Sequence, residues 1–474
     1  MGGIIKQLTM SFVEKRLYPM MPIFVQNVMI STYGYQWQSR RFGGVYKKEL
    51  KGFKSREEFS GNTWIEYQIS ELRKLLIHAF ETVPYYNSIY KDAGVSIEDI
   101  ETFEIEDLKR LPVLTKEDLR KFGTTTLLSS KREKGGQFFS SSGSTGTPTK
   151  ILFSNAMHQR WSAAFEARIR NWAGVSRFDS RGMIGGRRVV PDGAVKGPYY
   201  RYNSVEKQIY FSAYHISSST AADYAFALNK YKPEYMTGYA MSNYFLARFL
   251  DEQKITVPEL KAVITNSEKL TPEMRELFLK VYGCKTYDSY SGVEACGLIS
   301  ENEYGQLLVS PDVGIMEILN EDGTQCKPCE TGEVISTGLL NYDQPLIRYR
   351  IGDQVKLAEN QNTLCGRNMT VIDEIVGRTE DTITGPDGRK MVRFHSVFIE
   401  LTNVIEGQII QHSPDDFEVK VLSLNKLSPN ERKTITSRMI SQLGPVNVRI
   451  NEVDNIPKNH NGKFRAVISH LPQK

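Results

Sequence analysis

The chain is poor in cysteine. It has five in 474 residues, an odd number and too few for a disulfide framework. A reducing compartment is the expectation. Long apolar runs are missing too. No stretch reaches the ~18 apolar residues that span a bilayer. The opening MGGIIKQLTMSFVEKRLYPMMPIF is interrupted by Lys6, Glu14, Lys15 and Arg16. Neither an integral membrane segment nor a secretory signal is therefore expected. The Met-Gly start has Lys6 where a myristoylation signal has Ser or Thr. Charge of one sign is scarce: the net charge is +5 with 24% charged residues. No Lys/Arg cluster with interleaved aromatics marks a nucleic-acid face. H-E-x-x-H, G-x-S-x-G and G-x-G-x-x-G are all absent, which disfavours metalloprotease, hydrolase and Rossmann readings. A soluble cytoplasmic protein is expected.

What is present suits a large folded chain. Apolar residues are 40% and aromatics 11%, enough for a sizeable core. The length suggests roughly 2–4 domains. TWIEYQISELRKLLIHAFETV carries Ile65, Ile69, Leu72, Leu75, Leu76 and Phe80 at helical spacing, closed by Pro84. In LPVLTKEDLRKF, Thr115 stands as a cap with Asp118 three residues on. Short apolar runs then alternate with helical patterns: AMHQRWSAAFEARIRNWAG, EYMTGYA, SNYFLARFLDEQ, KAVITNSEKL, TPEMRELFLKVYG, CKTYDSYSG. This alternation predicts α/β layers with parallel strands, whose ligands gather at the strands' carboxyl ends. From about Val309 the pattern becomes β, suggesting a barrel-like module. After Gly377 a charged, turn-rich segment, RTEDTITGPDGRKM, leads into a stretch long enough for a small α+β domain.

Ser140 to Lys150 reads SSSGSTGTPTK, in which five of the first six residues carry hydroxyls. It is not a Walker A loop, because Lys150 is not preceded by glycine. Its glycines can still turn backbone N–H groups inward around an anion, with hydroxyls and Lys150 adding donors and charge. A Ser/Gly linker is an equal reading of the composition alone.

The succession SSSGSTGTPTK, YSGVE, GEVISTGLLNYDQPLIRYRIGD, GRTED and IPKNHNGKFR resembles the ordered signature of adenylate-forming enzymes, the acyl-CoA synthetase superfamily. Within it the chain resembles the phenylacetate–CoA ligase-like branch and that branch's capsular polysaccharide biosynthesis group. ETVPYYNSIY, LPVLTK, YMTGYAMSN and LNYDQPLIRYRIGD add to the likeness, which spans nearly the whole chain.

The resemblance implies two domains: residues 1–377, holding the ATP and acyl sites, and a small mobile lid, residues 378–474. It implies a phosphate loop at Ser142, Gly143, Ser144, Thr145, Gly146 and Lys150. Ser267 and Glu268, after Asn266, fall beside the adenine, and Tyr290 packs on it. Glu294 holds Mg2+ against phosphate oxygens, as a hard cation prefers. Val293 stands where a hydroxyl residue is usual. Asp353 accepts from the ribose hydroxyls, and Arg378 sits at the ribose and the domain boundary. Arg348 and Arg350, two apart, read either as nucleotide contacts or as structural ion pairs. Glu380 is the hinge. Lys463 is the catalytic lysine of the lid, a point cation for the α-phosphate. Arg187, His215 and Tyr239 fall in the acyl region, where Arg187 and Arg188 suit an acidic or sugar-acid substrate.

The implied activity is ATP-dependent, AMP-forming activation of a carboxylic acid, with transfer to CoA or to an amine or hydroxyl acceptor. The implied partners are therefore ATP, Mg2+, the acid and CoA. A catalytically impaired relative that binds nucleotide or substrate is the alternative, and Val293 is its best support. Cys326, Cys329 and Cys365 raise structural Zn2+, but only three ligands are in view, so metal-free thiols are preferred.

Overall fold

The computed structural model describes residues 17–140, 149–191, 194, 196–378, 383–386, 390–391, 397–398, 401, 403–457 and 465–471. The chain divides into two compact units. One comprises the residues up to Ile351 with Lys356–Glu374, and the other Gly352–Val355 with the residues from Ile375 on.

The first unit opens on helices. The first long one, α1 (Ile23–Phe42), leads to α2 (Gly61–Thr82) and α3 (Lys116–Phe122). Ser60 accepts from the Thr63 N–H and starts α2, whose Leu72, Leu75, Leu76 and Phe80 are buried in the main core. Each such buried side chain contributes about 1.5–3 kcal/mol. At α3, the Thr115 side chain accepts from the Asp118 N–H, and the Asp118 carboxylate accepts from the Thr115 N–H. The capping box read from the sequence is therefore formed.

A hairpin of β1 (Gln137–Ser140) and β2 (Lys150–Phe153) follows, then α4 (Asn155–Phe165). Next come β3 (Arg181–Gly185), β4 (Tyr200–Asn203), β5 (Gln208–Ser212), α5 (Ala221–Tyr231), β6 (Tyr235–Tyr239), α6 (Ala240–Glu252), β7 (Ala262–Asn266), α7 (Pro272–Tyr282) and β8 (Lys285–Ser291). Strand and helix alternate as the periodicity predicts. At α7, Thr271 caps, Pro272 occupies the first turn, and Gly283 closes the helix at φ +66°, donating to the Leu279 carbonyl.

The strands β9 (Leu298–Glu301), β10 (Leu307–Val309), β11 (Gly314–Leu319), β12 (Thr331–Gly338), β13 (Tyr349–Leu357) and β14 (Val371–Arg378) complete one twelve-stranded sheet. Its spatial order is β11-β12-β13-β14-β10-β9-β8-β7-β6-β3-β5-β4. Within it β5, β3, β6, β7 and β8 run parallel. The mixed α/β class is thus as expected. The β-rich stretch expected as a barrel-like module is hydrogen-bonded into this same sheet. Gly238 in β6 has φ +128°, and a β-carbon there would run into the Ile184 carbonyl of β3. Only glycine lets the two strands approach so closely, one residue before Tyr239.

The second unit contains a small pair, β15 (Ile383–Thr384) and β16 (Lys390–Met391), and a four-stranded sheet. That sheet has β17 (Val404–Gln411) and β18 (Asp416–Ser423) at its centre, flanked by β19 (Asn447–Glu452) and β20 (Val467–Ser469). Phe417, Val419 and Val421 alternate along β18 and are buried with Ile435 and Met439 of α8 (Pro429–Leu443), in accord with the two-residue period. Among the described residues no helix is long and apolar enough to cross a membrane.

Candidate active site

The parallel strands point their carboxyl ends the same way, and most of the described candidate residues lie there. Tyr239, last in β6, is in register with Asn266, last in β7, and Asn266 with Ser289 of β8. Tyr239, Ser267, Glu268 and Tyr290 therefore sit on neighbouring strand ends. Gly185 of β3 pairs with Ser212 of β5, which brings the segments carrying Arg187 and His215 to the same edge.

Ser267 has φ +67°, a left-handed conformation that a serine adopts only under constraint. Its Oγ donates to Asn266 Oδ1 at 3.0 Å. Glu268 Oε2 accepts from the Met241 N–H at 2.9 Å, so its carboxylate caps the start of α6. Burial, then the charge of Glu268, pushes the Tyr239 hydroxyl up to about 12, so it stays protonated and can donate. His215 Nδ1 lies 2.8 Å from Ser212 Oγ, and its ring stacks on Tyr199 at 4.9 Å.

Tyr290 is half-buried on β8, opposite Ile299. Glu294 lies in the turn that follows. A β-carbon on Gly292 would overlap its carboxylate, so this glycine leaves the carboxylate room to fold back. Val293 is half-buried and packs against the main core. Asp353 is half-buried in β13, and Arg378 ends β14. Ser142, Gly143, Ser144, Thr145, Gly146, Glu380 and Lys463 lie outside the described residues.

The ends of the candidate phosphate loop are described. Ser140 and Lys150 are opposite one another in the β1–β2 ladder, and the Lys150 side chain is exposed. Three residues without an assigned role hold this hairpin from below. Gln344, with 0% exposure, donates through Nε2 to the Gly123 carbonyl at 2.8 Å and the Lys150 carbonyl at 3.1 Å. Its Oε1 accepts from the Leu152 N–H. Asn341 Nδ2 donates to the Leu152 carbonyl at 3.1 Å, and Asp343 Oδ1 accepts from the Glu133 N–H at 2.8 Å. The visible signal was a polar tetrad, NYDQ, between the apolar runs LL and PLI, but its partners lie far away in sequence.

Two arginines resolve into structure. Arg348 has φ +48° and is buried, and it makes bonds of 3.0 and 2.9 Å to Glu317. Arg350 lies 3.2 Å from Glu333. Among the described residues no group of three or more His, Cys, Asp or Glu side chains could hold a metal. Cys326 donates to Asn320 Oδ1, while Cys365 accepts from Asn302 Nδ2, so these cysteines are engaged separately.

Around the hairpin, aromatic rings follow one another. Phe139 of β1 lies 6.0 Å from Trp37 of α1, and Trp37 stacks on Tyr33 at 5.6 Å. The Arg187 guanidinium stands 5.3 Å from the Tyr33 ring and 5.1 Å from the Tyr210 ring. His158 packs edge-on to both Trp37 and Phe139. Burial, then Arg40 and Arg41, drives its pKa down to about 3, so its ring is neutral. Arg40 Nε accordingly donates to Nδ1 at 3.1 Å.

Residues 383–470 match the CapK C-terminal domain family. Protein CapK of Staphylococcus aureus is 26% identical over 464 residues, covering 96% of this chain and 99% of that protein. The phenylacetate-coenzyme A ligase of Escherichia coli (strain K12) is 25% identical over 379 residues, covering 78% of this chain and 79% of that enzyme. Among solved structures, 2-hydroxyisobutyryl-CoA ligase in its postadenylation state with 2-HIB-AMP superposes with a TM-score of 0.68. The identity is 19%, and 87% of this chain and 91% of that one are covered. The expected likeness to the adenylate-forming superfamily, in its phenylacetate–CoA ligase-like and capsule-associated branch, is borne out.

Proposed function

We propose that this protein activates a carboxylic acid with ATP and then passes the acyl group to CoA or to an amine or hydroxyl acceptor. The setting would be cytoplasmic polysaccharide biosynthesis. The observation that carries this reading is the gathering of candidate segments along one edge of five parallel strands. Binding at such an edge follows from the topology of open α/β sheets. The relatives' names, phenylacetate–CoA ligase and 2-hydroxyisobutyryl-CoA ligase bound to an acyl-AMP, support the chemistry.

In the first half-reaction a carboxylate oxygen attacks the α-phosphorus. The bond to the oxygen bridging toward the β-phosphate breaks, and pyrophosphate leaves. In the second, the acceptor attacks the acyl carbonyl and AMP leaves. Positioning and charge neutralisation supply the rate. Ser142, Gly143, Ser144, Thr145, Gly146 and Lys150 would hold pyrophosphate oxygens. Tyr290 would pack on adenine, and Asp353 would accept from the ribose diol with Arg378 beside it. Lys463 would neutralise charge at the α-phosphate, and Glu380 would absorb the lid rotation between half-reactions.

The residues present fit magnesium. Glu294 offers one hard carboxylate above a glycine that leaves it room, and Mg2+ is commonly bound through one or two carboxylates plus substrate phosphates. When bound, the ion would neutralise phosphate charge. The alternative of an impaired, merely binding relative drew on Val293. That side chain is half-buried and packs against the main core.

The test is pyrophosphate release over a panel of carboxylic acids, with and without CoA. Release with at least one acid is expected, and Lys463→Ala should lower it about 100-fold or more. No release with any acid, together with no heat of ATP binding, would overturn the reading.

A further inference from the structure

Several arginines around α1 and β3 are matched to carboxylates. Arg41 and Arg181 share Glu206, and Arg170 pairs with Glu166. Arg187 is different. It is exposed, and its described contacts are the faces of Tyr33 and Tyr210 with a 3.5 Å approach to the Tyr210 hydroxyl. No carboxylate among the described residues pairs with it. Two neighbours on this wall are likewise bonded to neutral groups. Arg201 donates to Gln26 Oε1 and the Pro198 carbonyl, and Arg40 to His158, Asn155 and the Phe153 carbonyl. This wall therefore carries uncancelled positive charge, and a guanidinium resting over two rings is already ordered for an anion.

Its place gives that charge a use. The ring-to-ring row from Phe139 through Trp37 and Tyr33 runs from the strand that enters the candidate phosphate loop to Arg187. A ligand lying along it would stack on half-buried aromatic faces and meet a cation at the far end. His158 beside the row is neutral. We propose that the acid held at this site carries a second anionic group, and that Arg187 is the residue that selects it. The inference rests on the carboxylate-activation reading and adds the substrate class: a dianionic acid with a flat or ring-shaped body, such as an aromatic dicarboxylate or a phosphorylated sugar acid.

The test is isothermal titration calorimetry with matched pairs differing by one anionic group: benzoate against terephthalate, and glucuronate against glucuronate 1-phosphate. The full-length protein is used as wild type, Arg187→Gln and Arg187→Lys. In the wild type, the dianionic member of at least one pair should bind about tenfold tighter. Arg187→Gln should erase that preference while leaving the monoanion within about twofold, and Arg187→Lys should restore part of it. Equal binding of both members by wild type, equal weakening of both by Arg187→Gln, or no binding across the panel would overturn the proposal. Pyrophosphate release with the same acids separates the two readings. A dianion preference without release with any acid, together with no heat of ATP binding, keeps Arg187 as the selector and removes the ligase. Release without a preference does the reverse.

Discussion

Arg168 and Arg187 carry the same charge in opposite settings. Arg168 is 0% exposed and held by two acids, with Nη1 2.6 Å from Glu57 and Nη2 2.9 Å from Asp312. Those acids are shared in turn with Arg367 and Arg56. The result is a linked network that ties Arg56 and Glu57 to the loop before β11. Arg187 sits between two rings, with no acid among the described residues. A buried charge must be cancelled or the fold suffers, whereas an exposed charge on aromatic faces can wait for a ligand. The two arginines thus separate charge that holds the fold from charge available for recognition.

The largest expected break in that contrast is Arg168→Met. It leaves Glu57 and Asp312 facing fewer cations, and stability should fall by about 3–5 kcal/mol in urea unfolding. Gln344→Ala comes next. It strips the bonds to Gly123, Lys150 and Leu152 and should cost about 2–3 kcal/mol. Because those bonds set the base of the candidate phosphate loop, the same change should raise KM for ATP more than it lowers kcat. Arg187→Gln should leave KM for ATP alone.

A smaller effect is expected where one cation serves two acids. Arg275 pairs with Glu301 and lies near Asp288, and burial, then Glu301, raises the Asp288 pKa to about 7 from 3.8. The folded chain therefore binds a proton that the unfolded chain has released over that window, and this group's contribution to stability falls as pH rises from about 4 to about 7. Asp288→Asn should match wild type near pH 4 and exceed it at pH 8, read from urea midpoints. The smallest effect belongs to Arg187→Gln, within about 0.5 kcal/mol of wild type at neutral pH.

Much of the framework was legible in the sequence. The capping box at Thr115 and the alternation of strands and helices from EYMTGYA to CKTYDSYSG form as read. Their signals lie within a few residues of each other. The site was legible as a set of polar strand ends, but the work of single side chains was not. Glu268, read as lying beside adenine, has its carboxylate on the Met241 N–H. Arg348, read either as a nucleotide contact or as a structural ion pair, has φ +48° and pairs with Glu317. Asn341, Asp343 and Gln344 drew no role, because their partners lie about two hundred residues away along the chain.

The sequence by itself determined the helices and strands, the loop between β1 and β2 and the polar strand ends, since periodicity, caps and turn residues act over one or two helical turns. Only the tertiary structure decided which charges are cancelled. Arg168 meets Glu57 across 111 residues and Asp312 across 144, while Arg187 meets two tyrosine rings. Composition counts charges of each sign, but pairing depends on distance and burial, and those exist only once the chain has folded.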